Sequence, residues 1–386
     1  MRLLRILYTA AVLAAATAMP AWAGPAPASP PDTSVLDTAR EKVAAGDFQG
    51  GITYLAPYVH DHPDDVAAGK LLGDLYFRIP DYKRAENVWR ALVALHPDDR
   101  ELHNRLGSLY AVQDRINEAL VEFQKSVPSR DGYEGLVAMH RKAGDLPEFL
   151  AKLSEAARSN PLDANAWGAL GAVERSMHET LEAKAAFTRQ VALAPASCEA
   201  RLNLANVQVD LGYVDPAIGN LRACLSVNST YYPAIVNLGE AFLEKNDDKT
   251  ARPYFDRALE IKANGYEALV DIGYIVDRLG DWRSAVSYYN RALEADPLRS
   301  EAYINLGYDF NEHQLFPLAQ AAFVKGLSIA PDNGRLHYML GVTYSLQGKI
   351  DLARAQFTDA MSSDEAIVVK AAKSELSLLP GGVQKN

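Results

Sequence analysis

From residue 32 to residue 365 the chain repeats a pattern of residue types with a period of 34, and this constrains its fold more than any single motif does. Units starting at 32, 66, 100, 130, 164, 198, 232, 266, 300 and 334 keep that spacing, except for one step of 30 between 100 and 130. Position 7 of the unit is Leu72, Leu106, Leu136, Leu170, Leu204, Leu238, Ile272, Leu306 and Leu340, with only Thr38 departing. Position 8 is glycine at Gly73, Gly107, Gly171, Gly239, Gly273, Gly307 and Gly341. Position 20 is alanine at Ala85, Ala119, Ala183, Ala217, Ala251, Ala285, Ala319 and Ala353. Position 24 is aromatic at Trp89, Phe123, Phe187, Phe255, Tyr289, Phe323 and Phe357, and position 32 is proline at Pro63, Pro97, Pro161, Pro195, Pro297 and Pro331.

Apolar residues at positions 4, 7, 8 and 11 have the spacing of one helical face, and those at 20, 24, 27 and 28 repeat it for a second helix. Between them position 15 is Gly46, Gly144, Gly212, Gly280 or Gly348, with Asn246 in another unit, residues that tolerate the left-handed turn ending a helix. Proline at position 32 stops the second helix, and a following polar residue caps the next one. Each unit therefore reads as a helical hairpin, with small residues at 8 and 20 allowing close approach and the aromatic at 24 filling the space beside them. One such hairpin cannot bury its apolar side alone, so the units must stack in a line.

This pattern resembles the tetratricopeptide repeat family. The unit from 164 carries it most fully, in Trp167, Leu170, Gly171, Ala183, Phe187 and Pro195, with Glu174 where the family has tyrosine. The resemblance spans 32–365 and implies an all-α fold, a right-handed superhelical solenoid of about ten helical hairpins. The first and fourth units match least well, and the short unit at 100–129 predicts a clipped second helix ending at Pro128 and a local kink. Residues 366–379 read as a C-terminal capping helix, and 380–386 as a frayed tail.

Residues 1–23 have the form of a signal peptide: Arg2 and Arg5, an apolar run, Pro20, then Ala21-Trp22-Ala23. The run from Ile6 to Met19 is too short to span a bilayer as a helix. A Pro/Ala-rich spacer follows at 24–31. The expected product is an exported bacterial protein, periplasmic or secreted, with no stable membrane insertion once the leader is removed.

In tetratricopeptide arrays the first helices line the concave surface, so by resemblance positions 2, 6, 9 and 13 face a groove. Position 6 reads Asn203, Asn237, Asp271 and Asn305 in successive units. This is similar to the asparagine ladder in the tetratricopeptide superhelix of O-linked N-acetylglucosamine transferases, whose amides grip the backbone of an extended peptide. An amide donates and accepts at once, whereas Asp271, when ionised, only accepts. Position 9 adds Asn206, Glu240, Tyr274 and Tyr308, the tyrosines offering apolar area with a polar tip. Acids dominate these phases toward the C-terminus, while Arg40, Arg78, Arg105 and Lys142 predict a basic surface toward the N-terminus.

The chemistry of enzymes is missing from the sequence. It shows no phosphate-binding glycine loop, nucleophile elbow, HExxH or paired CxxC, and ten hairpins leave no room for a catalytic domain. His62-Pro63-Asp64-Asp65 and His96-Pro97-Asp98-Asp99 sit at turns, where proline stops and aspartate caps, so no metal site is assigned to them or to His60. The net charge of −10 disfavours nucleic acid as a partner. Cys198 and Cys224, at positions 1 and 27 of one hairpin, lie opposite each other and can form a disulfide after export; a buried Cys224 beside a free Cys198 is the alternative. The expected role is a cofactor-free, non-catalytic scaffold or assembly factor of the bacterial envelope, binding a protein or peptide partner. A glycan-binding protein and an accessory subunit of a periplasmic enzyme complex are the alternatives.

Overall fold

Helix boundaries follow the repeat. The structure, a computed structural model, describes residues 33–380. The leader at 1–23, the spacer at 24–31 and all but Pro380 of the tail lie outside the described residues. Among the described residues there are twenty-one α-helices and no strand. The described residues fall in two compact units, divided between Leu109 and Tyr110. The first holds α1 (Thr33–Ala44), α2 (Phe48–Asp61), α3 (Val66–Arg78), α4 (Tyr82–Leu95) and most of α5 (Arg100–Val112).

The second unit continues with α6 (Ile116–Ser126), α7 (Arg130–Ala143), α8 (Leu146–Ser159), α9 (Ala164–Ser176), α10 (Thr180–Leu193), α11 (Cys198–Asp210) and α12 (Val214–Val227). It then runs through α13 (Tyr232–Glu244), α14 (Asp248–Ile261), α15 (Tyr266–Arg278), α16 (Trp282–Ala295), α17 (Glu301–Glu312), α18 (Phe316–Ile329), α19 (Gly334–Leu346), α20 (Ile350–Ala360) and α21 (Ala366–Leu378). From α1 to α19 each odd-numbered helix starts within one residue of a unit boundary in the sequence frame. The expected clipping appears in α6, which has 11 residues against 14 in most second helices.

The turns work as the sequence implies. Position 15 has a positive φ at Gly46, Gly144, Gly212, Gly280 and Gly348, and also at Asp114, His178, Asn246 and Gln314. The aspartates of the two repeated His-Pro-Asp-Asp strings are caps: Asp65 Oδ1 accepts from the Ala68 amide at 2.9 Å, and Asp99 Oδ1 from the Glu101 amide at 3.0 Å. Proline at the first or second position starts α8, α13 and α18.

Glycine at position 8 exists to admit the aromatic at position 24 of its own hairpin. A Cβ on Gly307 would lie 2.3 Å from the Phe323 ring, and one on Gly239 would lie 2.6 Å from Phe255. Both rings are fully buried, each contributing about 2 kcal/mol of apolar transfer. Helix α21 closes the stack with Val368 and Ala372 against α19 and α20. No described helix is long and apolar enough to cross a membrane.

Candidate partner-binding face

In the second unit the first helices lie side by side: α7, α9, α11, α13, α15, α17, α19 and α21 each touch the next in that series. Their positions 6 and 9 meet across repeats. Position 6 of one hairpin lies against position 9 of the hairpin before it, 31 residues earlier. Asn237 Nδ2 donates to Asn206 Oδ1 at 2.6 Å with that separation, and within the first unit Arg105 Nε donates to Asp74 Oδ1 at 2.8 Å with the same one.

This pairing revises the ladder. Asn237 was expected to reach for a peptide backbone with Asn206 as a neighbour on the groove, yet each already spends part of its capacity on the other. They line one concavity with Glu240, which is exposed. Asn203 borders a different hollow of about 270 Å³, across which Arg130 is ion-paired with Glu199. Asp271 is half-buried on α15. Burial, then the Glu240 and Glu267 carboxylates, raise its pKa well above the usual carboxylate value. Asp271 thus keeps its proton to higher pH than an ordinary aspartate and, protonated, can donate to a carbonyl. The sequence reading had limited it to accepting only in its ionised form.

Tyr274, Asn305 and Tyr308 are brought together. They line a cavity of about 310 Å³ bounded by α15, α17 and α19. Tyr274 is 43% exposed and Tyr308 47%, so both rings present apolar surface. Arg278 lies 5.5 Å from the centroid of the Tyr274 ring. The same cavity is lined by Tyr289, read from the sequence only as a packing aromatic, and by residues that the phase analysis did not single out: Asp277, Asp309, Tyr338 and Met339. Asp309 is only 2% exposed, and its Oδ2 has no hydrogen-bond partner. Burial, then Asp277 and Glu312, push its pKa up to about 7. Burial and Asp309 likewise push up the Tyr289 hydroxyl.

A signal for these residues was present. Position 10 is Glu41 in the first unit, then Leu75, Leu109, Met139, Val173, Val207, Ala241 and Ile275 before it becomes Asp309 and then Thr343. Tyr289 is the one tyrosine at position 24. Two polar departures from apolar phases therefore converge on one cavity.

The expected basic surface toward the N-terminus is not free. Arg40 pairs with Asp37 at 3.2 Å, Arg105 with Asp74, and Lys142 with Asp114, while Arg78 lies over the Phe48 ring. Each cation is engaged within its own surroundings.

Two tetratricopeptide-repeat family profiles match the chain, one at residues 36–86, 72–134 and 270–310, the other at 232–264 and 334–367. The chain carries tetratricopeptide repeats. Solved tetratricopeptide solenoids agree with the fold. A tetratricopeptide repeat protein from Parabacteroides merdae matches with a TM-score of 0.53 at 19% identity, over 62% of this chain and 97% of that one. The APC/C hetero-tetramer Cut9–Hcn1 matches with a TM-score of 0.54 at 15% identity, over 87% of this chain and 82% of that one.

Among curated proteins, Superkiller complex protein 3 of Mus musculus is 30% identical over 138 residues, 32% of this chain and 9% of its own length. Superkiller protein 3 of Schizosaccharomyces pombe is 22% identical over 251 residues, 58% of this chain and 18% of its own length. The chain thus spans less than a fifth of these relatives. Tetratricopeptide repeats generally act as protein-interaction scaffolds, and no catalytic family is indicated.

Elsewhere in the tetratricopeptide stack, Cys198 and Cys224 are joined by a disulfide with their Cα atoms 4.6 Å apart. The bond ties the start of α11 to the last turn of α12. Among the described residues no group of three or more His, Cys, Asp or Glu side chains could hold a metal ion.

Proposed function

We propose that this chain is a non-catalytic interaction scaffold that holds an extended segment of a partner protein along a groove formed by its first helices. The observation that carries this reading is the convergence of Tyr274, Asn305 and Tyr308 from two successive repeats on one open cavity. Exposed tyrosines flanking a hollow supply rigid contact area at low entropic cost, and Asn305 supplies a backbone-reading amide beside them. The compartment we propose is the bacterial envelope after export. The leader-like residues 1–23 support it, as does the disulfide, a bond at home in oxidising compartments.

The experiment replaces Tyr308 with a photo-cross-linking residue in the full chain and irradiates it in an envelope extract. Val324, exposed on the second helix α18, is the control. A discrete cross-linked protein at Tyr308, absent at Val324 and lost when Tyr274→Ala is added, is expected. Equal labelling at both positions removes the groove reading. Capture of polysaccharide at Tyr308 transfers the site to a glycan.

A further inference from the structure

The cavity between α15, α17 and α19 is acidic without compensation. Asp277 and Asp309 both line it, and no lysine or arginine is ion-paired with either among the described residues. The one basic residue in the lining, Arg335, is committed to Glu365, with its Nη2 2.7 Å and its Nε 2.8 Å from Oε2. Arg278 is held by Asp248 at 3.0 Å. Glu312 adds a further carboxylate near Asp309, and the His313 ring nitrogen Nδ1 donates to the Asp309 carbonyl oxygen at 2.8 Å.

An acid as deeply buried as Asp309, with an oxygen left unpartnered, is costly to the fold. Hairpin packing does not ask for it, since the same phase is apolar in seven of the eight preceding units, and the exception, Glu41 in the first unit, is exposed. Tyr274, Tyr308 and Tyr338 line the same cavity as the two carboxylates. Aromatic walls around an acidic floor suit one chemistry, a cation on an aliphatic stem. The stem packs on the rings, the charge meets the carboxylate, and the ring faces add cation–π attraction.

We propose that this cavity is a pocket for a cationic side chain, a lysine or arginine, of the partner segment. Asp309 and Asp277 receive the charge while Tyr308 and Tyr338 enclose the stem. The proposal rests on the partner-binding reading and specifies what that face selects. A cation held beside the Asp309 carboxylate favours its ionised form and displaces its proton, so binding strengthens as pH rises through about 7.

The test uses the full chain and short fluorescent glycine–serine–alanine peptides that differ in one central residue: arginine, lysine, glutamine or glutamate. Fluorescence anisotropy is expected to show the arginine or lysine peptide binding about ten-fold more tightly than the glutamine peptide, and the glutamate peptide most weakly. Asp309→Asn should shrink that preference to about three-fold or less, and so should Asp277→Asn, at a half-buried site where folding is not at risk. Equal affinity for the arginine, lysine and glutamine peptides overturns the proposal. So does a preference that survives in both variants, or no binding of any peptide at millimolar concentration. Cross-linking at Tyr308 judges the groove separately, so a cross-linked partner with no cation preference sinks the pocket and spares the scaffold.

Discussion

Two rungs of the same ladder behave in opposite ways. Asn206 with Asn237, and Tyr274 with Asn305, occupy the same pair of phases, 9 and 6 of adjacent repeats, 31 residues apart. In the first rung the two amides bond at 2.6 Å, and each spends part of its capacity on the other. In the second, a tyrosine and an amide open onto a cavity with a buried acid behind them. A rung between them, Glu240 with Asp271, sets two carboxylates on neighbouring repeats, and burial, then Glu240, raises the pKa of Asp271. The array thus supplies one geometry, and residue identity decides whether a rung closes on itself, strains or stays open. A repeated polar phase is weaker grounds for a binding ladder than it looks, because neighbours at that spacing can consume each other's hydrogen bonds.

The largest expected effect tests whether the two rungs share one kind of scaffold. Phe255 and Phe323 fill equivalent places behind them, both fully buried against glycine. Phe255→Ala and Phe323→Ala should each cost about 4 kcal/mol in urea unfolding. A difference of more than about 2 kcal/mol would show that the hairpins are not interchangeable supports.

Next in size, reduction should separate the two regions. The Cys198–Cys224 bond closes a loop with a sequence separation of 26 in the hairpin that carries Asn206, and α15–α17 has no such tie. Its loss should cost about 3 kcal/mol on the loop-entropy view. Hydrogen exchange should rise across α11 and α12 while α15 and α17 stay protected, because each repeat leans only on its neighbours. Uniform loss of protection would mean that the stack unfolds as one cooperative body.

Much of this architecture was legible in the sequence because a period averages over units: the glycine–aromatic pairing recurs too often to be accidental, and helix starts follow from it. The same averaging hid the site. Asp309 and Tyr289 are departures from the consensus, visible only when one phase is read down every unit and the odd member is kept. The Asn206–Asn237 bond was hidden for another reason. Phase places two residues on one face but does not give the distance between repeats, and that distance decides whether two amides touch. Likewise, the charges of Arg105 and Lys142 read as a basic surface until packing supplied Asp74 and Asp114.

The smallest expected effect is the most specific. A carboxyl near 4 in the unfolded chain and near 7 in the folded one binds more protons when folded. Asp309 therefore makes stability fall as pH climbs from about 4 to about 7, with the loss retained above that range. Asp309→Asn removes this dependence, so the variant should gain on the wild type by about 1 kcal/mol between pH 5 and pH 8, after allowance for the open cavity beside it. Glu174, also pushed up to about 7 by burial and then by Glu179 and Glu182, keeps part of the slope in both proteins, so the difference between them is what counts. Asn237→Ala, which leaves the Asn206 amide without its donor, should cost about 1 kcal/mol at every pH. Thermal melts across that range would then give one sloping difference curve and one flat one. Two flat curves would mean that Asp309 titrates like any surface acid, and the contrast between the closed rung and the open one would lose its electrostatic half.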